Sequence, residues 1–436
     1  MTTITTQQGN YKLGKVLYSG GQGDIYMIEG QSRVAKIYTN LRSQEVAEQQ
    51  HRLQRMVGDG PPSPAFVWPL EVIQKPSLGY IMEFISGYVE FGKLGRSDYL
   101  SKVDLRTRLR ICYRLVEAFE KLHLKAGYAY CDLSGNNILC NIETGDVKII
   151  DNDNLWVEGL VAPSSVQGTY RCMAPELESQ KIGHPNVETD LHSIAVLLFM
   201  TLLFHHPLLG DDVHDDSLKE DKALGAGAIY IYNPTDARNR YTRYQDYGGI
   251  PISTLPESLR RLFQDSFVEG LHKPNIRVRE TNWKKEIINQ LDSLVRCPNP
   301  QCLGKQTFLP QPAITKQIEC IWCKTIINTI DLMKITNPTT PNRALRYKVI
   351  YDGDKLSAHH CKLNQTFNFL SSGVCAGIEH DPNHGLTLRN LSNEDFSYYQ
   401  PNDATPRPFP PNKRIRLALG YKVVFGANGV AAEMIV

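Results

Sequence analysis

The stretch from Tyr130 to Asp151, YCDLSGNNILCNIETGDVKIID, constrains this chain more than any other. It reads as a short loop, an apolar step, a turn at Glu143-Thr144-Gly145-Asp146 and an alternating strand that closes on an acid. A hairpin of this kind returns Asp132, Asn137 and Asp151 to one end, where carboxylate and amide oxygens can converge. Hard oxygen donors suit Mg²⁺, which keeps several waters and is commonly shared with substrate phosphates. Alone, D-x-x-x-x-N is a frequent accident, so its weight depends on what stands before and after it.

Before it, Leu17 to Tyr26 sets Gly20, Gly21 and Gly23 between strand-forming residues. Glycines allow a tight hairpin whose backbone N–H groups approach phosphates without Cβ interference. An alternating strand, Val34-Ala35-Lys36-Ile37, follows. Ser43 to Val57 has helix-forming composition and Pro61-Pro62-Ser63-Pro64 breaks it; Phe66 to Val72 and Tyr80 to Phe84 read as strands. Leu105 to Leu124 is an amphipathic helix with Leu109, Cys112, Leu115, Val116, Phe119 and Leu122 on one face.

Taken in order, these segments resemble the glycine-rich loop, V-A-I-K strand, hinge, catalytic loop and metal-binding segment of eukaryotic-like serine/threonine protein kinases. The resemblance implies a bilobal α+β kinase fold, with residues 10–85 as the small lobe and 86–294 as the large one. It implies that Gly20, Gly21 and Gly23 cover ATP and that Lys36 meets the α- and β-phosphates. Glu48, with Glu45 in reserve, would pair with Lys36. The backbone of Glu83 and Ile85 would meet adenine, with Met82 gating the pocket. Asp132 would accept or orient the proton of a protein hydroxyl, and Asn137 and Asp151 would hold Mg²⁺. Gly168-Thr169-Tyr170-Arg171-Cys172-Met173-Ala174-Pro175-Glu176 resembles the end of an activation segment. Thr169 and Glu176 take regulatory or structural roles there, Arg277 pairs with Glu176, and Asp190 braces the catalytic loop from below.

Some positions depart from the family pattern. Tyr18 replaces the first glycine, and Gln22 stands where an aromatic tip is usual. Cys131 replaces an arginine that neutralises a loop phosphate, which implies activity without phosphorylation at Ser164, Ser165 or Thr169. Ser134 stands where a lysine usually meets the γ-phosphate, a loss worth a few kcal/mol unless another group substitutes. Asp151-Asn152-Asp153 replaces D-F-G: Asn152 is expected not to fill an apolar slot, and Asp153 to lose glycine's backbone freedom.

Beyond a last helix, Trp283 to Leu294, Cys297-Pro-Asn-Pro-Gln-Cys302 and Cys320-Ile-Trp-Cys323 make two cysteine pairs. Paired thiolates suit tetrahedral Zn²⁺, and residues 295–335 resemble a structural zinc ribbon. The alternating strands of 343–436 suggest a β-sandwich. Gly385 to Ser392 and Leu417 to Gly426 resemble parts of forkhead-associated domains, but no phosphate-contacting residue is carried over, and a packing or partner-docking domain is the preferred reading. His359-His360 reads as a strand edge in preference to a metal site.

A net charge of +2 gives no argument for nucleic acid or an acidic membrane surface. MTTITTQQGN has neither a basic start nor an apolar run, so no signal peptide is expected. The longest apolar stretch, Ile194 to Phe204, is too short to span a bilayer, and the ten cysteines fit a reducing cytoplasm. The layout resembles kinases of bacterial stress and tellurium-resistance gene clusters. That implies a protein substrate, with a von Willebrand A-type protein and a metal-dependent phosphatase as partners. The alternative is a nucleotide-binding pseudokinase scaffold that presents its zinc and β modules to partners. A small-molecule kinase is opposed by the Gly168–Glu176 segment, a polypeptide-docking surface in protein kinases.

Overall fold

Thr3-Ile4-Thr5-Thr6 alternates like a half-buried strand, and it forms one that the sequence motifs gave no reason to expect. In the computed structural model, β1 (Thr3–Thr6) closes a barrel with β2 (Asn10–Ser19), β3 (Gly23–Ile28), β4 (Arg33–Tyr38), β5 (Glu71–Lys75) and β6 (Gly79–Glu83). Described are all residues except 1, 126–127, 158–159, 161–167, 244–248, 311–316, 329, 338, 364–372, 427–429 and 436. β1 pairs antiparallel with both β2 and β5, so the sheet keeps no open edge there. Ile4, Leu13, Ile28, Ala35, Ile73 and Ile81 fill the interior. The buried Glu71 is satisfied by the hydroxyls of Thr6 and Tyr11 and by Arg33. Between β4 and β5 runs α1 (Ser43–Asp59), whose Leu53 packs with Val34, Tyr38, Val67, Tyr80 and Met82.

The rest of the first compact unit, Met1–Lys284, is mainly helical. It contains β7 (Val89–Glu90), α2 (Leu105–Leu124), β8 (Tyr128–Ala129), β9 (Ile138–Cys140), β10 (Val147–Ile149), β11 (Trp156–Val157), α3 (Pro175–Glu178), α4 (Val187–Leu203), α5 (Asp211–Asp215), α6 (Glu220–Leu224) and α7 (Glu257–Gln264). The apolar face read for α2 is buried, but so are Ile111 and Tyr113, because the helix is enclosed on more than one side. α4 is almost wholly buried and, apart from Thr201, apolar from Ile194 onward, with Asn186 capping its start through the Thr189 N–H. No helix among the described residues is long and apolar enough to cross a membrane.

A helix, α8 (Glu280–Asp292), contains the chain boundary between this unit and the second, Lys285–Val436. In the second unit two short hairpins come first, β12 (Val295–Arg296) with β13 (Gln306–Thr307) and β14 (Ile318–Glu319) with β15 (Ile326–Ile327). Ten strands follow: β16 (Leu332–Asn337), β17 (Thr340–Val349), β18 (Lys355–Ser357), β19 (Val374–Asp381), β20 (Gly385–Asn390), β21 (Phe396–Tyr399), β22 (Arg407–Phe409), β23 (Arg414–Arg416), β24 (Lys422–Val424) and β25 (Ala431–Met434). They make a six-stranded sheet, β17-β16-β25-β24-β21-β22, and a four-stranded one, β18-β19-β20-β23. Met333, Ile378, Leu388, Phe409 and Val423 belong to one core drawn from both sheets. The hairpins are not packed separately from these strands: Cys302, Ile318 and Ile327 share a core with Leu332 and Val349.

His359 and His360 are not on a strand edge. They sit buried in a short helix, α9 (Ala358–Cys361), with their Nε2 atoms 3.2 and 2.9 Å from the Asp292 carboxylate. The Ser357 N–H donates to His360 Nδ1 at 3.0 Å, so the neutral ring carries its proton on Nε2 and donates to Asp292. A protonated Nε2 has no lone pair for a metal. Burial lowers His360 to about 4, so the ring stays neutral and Lys348, at 3.7 Å, supplies a cation to Asp292. The trio ties the end of α8 to the β strands.

Candidate functional site

The turn of the central hairpin is set locally. Asn141 Oδ1 accepts the N–H groups of Glu143 and Thr144, and Gly145 takes a φ of 81° that a side chain would resist. β9 and β10 pair in register from Cys140↔Val147 to Ile138↔Ile149, and the Ile150 N–H donates to the Asn137 carbonyl at 2.9 Å. Asn137 and Asp151 therefore stand at one end of the ladder. The Asn137 amide nitrogen donates to the Asp132 backbone and side chain, both at 2.9 Å, which leaves its side-chain oxygen for a cation. Thr169 donates to the other Asp132 oxygen at 2.8 Å. Both oxygens of this carboxylate are thus held from the protein side.

Lys36 reaches this end of the hairpin from β4. Its Nζ lies 2.6 Å from Asp151 Oδ1, 3.0 Å from each Asp153 oxygen and 3.4 Å from Gln22 Oε1. The pairing expected with Glu48 is not what forms. Glu48 is exposed on α1, Glu45 Oε2 accepts the Arg42 N–H at the start of the helix, and Gln49 is the residue turned inward. Gln49, Arg52, Leu53 and Met56 fall at helical spacing on the buried face, and Glu48 lies one position off it.

The departures at Asn152 and Asp153 are both accommodated by the fold. Asn152 is 1% exposed, and its amide donates at 2.9 Å to the carbonyls of Val67 and Ile149. The slot is rimmed by backbone acceptors, so an amide fits it. The left-handed residue is Asp151, at φ 60° and ψ 36°, a region that aspartate tolerates better than most side chains. Asp153 needs no such freedom and is fully buried. It accepts from Tyr38 at 2.5 Å and Tyr80 at 2.9 Å as well as from Lys36. Burial opposes its charge, but Lys36 and the tyrosine hydroxyls outweigh burial and hold its carboxyl below the usual range. Asp151 is pushed up, first by burial and then by Asp153. Neither Asp153 nor its tyrosines were legible as site residues. The only available sign was that Lys36 and Tyr38 lie two apart on a strand and so share a face.

The glycine turn lies close to β4. A Cβ on Gly23 would stand 2.3 Å from the Ile37 carbonyl oxygen, so glycine is required there. Asn40 donates to the Gly21 carbonyl at 2.6 Å, the Gly20 N–H donates to the Gly23 carbonyl, and Gln22 accepts from Asn154 at 3.1 Å. Met82 is buried in β6; Glu83 ends that strand, exposed, and Ile85 lies half-buried two residues on. Ser134 is buried, with a hydroxyl that finds no partner among the described residues. It offers no cation in place of the missing lysine. Burial pushes the Cys131 thiol up to about 12.

Ser164 and Ser165 lie outside the described residues. From Thr169 onward the chain is anchored by side chains: His206 Nε2 to the Arg171 carbonyl, Ser193 to the Cys172 carbonyl, and Glu220 to the Arg171 guanidinium at 2.6 Å. Arg277 grips both Glu176 oxygens at 2.7 Å and donates to the carbonyls of Gly270, Glu188 and Leu271. Arg277→Ala leaves a nearly buried carboxylate without its cation. Unfolding by urea should show a loss of about 3–5 kcal/mol, and a loss below about 1 kcal/mol would contradict this reading.

Asp190 accepts the Tyr130 N–H at 2.7 Å, which fixes the start of the Asp132 loop, and lies 3.0 Å from His123 Nε2. His123 Nδ1 meets Glu280, a partner the sequence did not announce. Burial works against the imidazolium, yet the two carboxylates raise His123 to about 9, while burial raises Asp190 only to about 6. Both are therefore charged at neutral pH. Because the folded value of His123 lies above its ordinary 6.5, its stabilisation is complete below that pH and is lost as pH climbs through about 9. The expected loss is about 3 kcal/mol. Urea midpoints at pH 6.5 and 9.5 measure it, and His123→Gln should flatten the slope; an equal slope in the variant counts against it.

In the second unit, Cys297, Cys302, Cys320 and Cys323 bring their sulfurs within 4.8 Å of one another. Cys297 and Cys323 are 3.5 Å apart, and Cys302 and Cys320 3.7 Å. Zn–S bonds of about 2.3 Å at tetrahedral angles require sulfurs about 3.8 Å apart. The donor set fits zinc, and four sulfurs would complete a tetrahedral shell. Hydrogen bonding with Thr325 lowers the Cys323 thiol to about 6, whereas burial raises Cys297 and pushes Cys302 up to about 12, so binding a metal there would have to displace their protons.

A stretch of 133 aligned residues is 27% identical to mitogen-activated protein kinase kinase kinase 18 of Arabidopsis thaliana. Part of this chain resembles a protein kinase. The match covers 29% of the chain and 38% of that protein, so well under half of the relative is represented. No protein-family model matches the chain.

Proposed function

We propose that the chain is an ATP- and Mg²⁺-dependent serine/threonine protein kinase, with the barrel as small lobe and the helical remainder of the first unit as large lobe. One observation carries the reading: Lys36 crosses from β4 to lie 2.6 Å from Asp151, at the hairpin end that also presents Asn137 and Asp132. The partial likeness to a plant protein kinase supports it.

Mg²⁺, when bound with ATP, would neutralise charge on the phosphates that react. The residues of this chain do the rest. Lys36 orients phosphate oxygens, while Asn137 and Asp151 offer the oxygen ligands. Asp132, fixed by Thr169 and Asn137, accepts the proton of the incoming hydroxyl. With the segment after Thr169 anchored by His206, Ser193 and Glu220, the substrate-facing side needs no added phosphate. A bacterial setting, with a von Willebrand A-type protein and a metal-dependent phosphatase as partners, belongs to the proposal through the layout resemblance alone.

Buried Ser134 favours a second reading, a nucleotide-binding scaffold that transfers nothing. Incubation with labelled ATP and Mg²⁺, comparing wild type with Asp132→Ala and Asp151→Ala, separates the two. Transfer that depends on both acids supports the kinase; nucleotide binding without transfer supports the scaffold.

A further inference from the structure

Among the described residues, the hydrogen-bond partners of Lys36 come from the glycine turn and from the segment after β10, none from α1. We propose that Asp153 is the positioning residue for Lys36, holding its ammonium for nucleotide phosphates in the role a carboxylate of α1 would otherwise fill. The inference rests on the nucleotide-binding reading above and assigns a residue that reading does not use.

Three observations carry it. First, the two acids around Lys36 differ in exposure. The Asp151 side chain is 38% exposed and that of Asp153 is 0%. A partly exposed acid can turn to a divalent cation, and Lys36 then still keeps both Asp153 oxygens. Second, Asp153 is aimed by the strands that carry Lys36. Tyr80 is the cross-strand partner of Lys36 in the β4–β6 ladder, and Tyr38 lies two residues along β4 on the same face. Both hydroxyls donate to Asp153, so acid and ammonium share one framework. Third, α1 approaches through a neutral group. Gln49 Nε2 donates to the Asp153 backbone carbonyl at 3.0 Å and to the Tyr38 hydroxyl at 2.8 Å. A shift of α1 would therefore cost Lys36 no counter-charge.

The test uses the full chain, with Mg·ADP binding by calorimetry and labelled-ATP transfer as separate readouts. Asp153→Asn should weaken Mg·ADP binding about tenfold or more, the worth of a charge-assisted pair, and Lys36→Met should do the same. The double variant should bind no more weakly than Lys36→Met alone, because Asp153 acts only through that ammonium. Glu48→Gln, exposed on α1, should stay within about twofold of wild type. Should Asp153→Asn fold poorly, Tyr80→Phe serves instead. It should weaken binding a few-fold, and that effect too should vanish in the Lys36→Met background.

Normal Mg·ADP affinity in Asp153→Asn overturns the proposal, as does an equal further loss in the Lys36→Met background, which would mark a purely structural role. Loss in Glu48→Gln equal to that in Lys36→Met returns the role to α1. A wild-type chain that binds no Mg-nucleotide overturns the nucleotide-binding reading itself, an outcome distinct from each of these.

Discussion

Asp132→Ala should lower phosphoryl transfer about a thousandfold while leaving Mg·ADP affinity within a few-fold of wild type. The carboxylate accepts from Thr169 at 2.8 Å and from Asn137 at 2.9 Å, and neither bond involves Lys36. Removing it would take away the group proposed as acceptor of the substrate proton but leave the ammonium and Asp151 in place. Asp132→Asn is the sharper variant, since it keeps the shape. Its amide presents one acceptor oxygen where the carboxylate uses two. The amide nitrogen can donate to the Thr169 hydroxyl in return, and Asn137 keeps the residue-132 carbonyl, so the loop stays in place while the proton acceptor is lost. Single-turnover rates on a protein substrate, set beside calorimetric nucleotide binding, separate chemistry from binding. Transfer within about tenfold of wild type in both variants would move hydroxyl activation to another group.

Loss of the metal at the four cysteines should unfold the hairpin pair and loosen the strands that share its core. Structural zinc contributes on the order of 10 kcal/mol to units with little core of their own. Here Cys302 and Cys320 are buried with Ile318, Ile327, Leu332 and Val349, so the effect should pass into β16 and β17. Purified protein should contain about one zinc per chain. A strong chelator, or Cys320→Ser, should abolish the near-ultraviolet signal of Trp322, whose indole N–H donates to the Gln306 carbonyl at 2.6 Å. Cooperative unfolding at an unchanged midpoint after complete zinc removal would show that the sulfurs are merely neighbours.

Some of this molecule was readable because its chemistry is local. The turn at Asn141 to Asp146 is written in Asx hydrogen bonds and one glycine, and it alone decides that Asn137 and Asp151 share a hairpin end. The cysteine pairs sit on two knuckles for the same reason, each spacing being a property of a few consecutive residues. The buried side of α1 was harder to read, because Glu45, Glu48 and Gln49 are all good helix residues and register hangs on packing. Closure of the barrel by β1 is not legible in the sequence, since four alternating residues are too short a run to announce which two strands they will pair with.

Residue types and short spacings in the sequence settled which donors the chain owns: a lysine on a strand, acids and an amide around a hairpin, four thiols in pairs. Which carboxylate meets that lysine was decided only by the tertiary structure. Lys36 and Asp153 are far apart along the chain, and no periodicity reports that Tyr38 and Tyr80 will frame a buried acid between them. Burial made the choice, because a charge removed from water survives only beside fixed partners, and those partners exist only after the barrel and the hairpin have packed together.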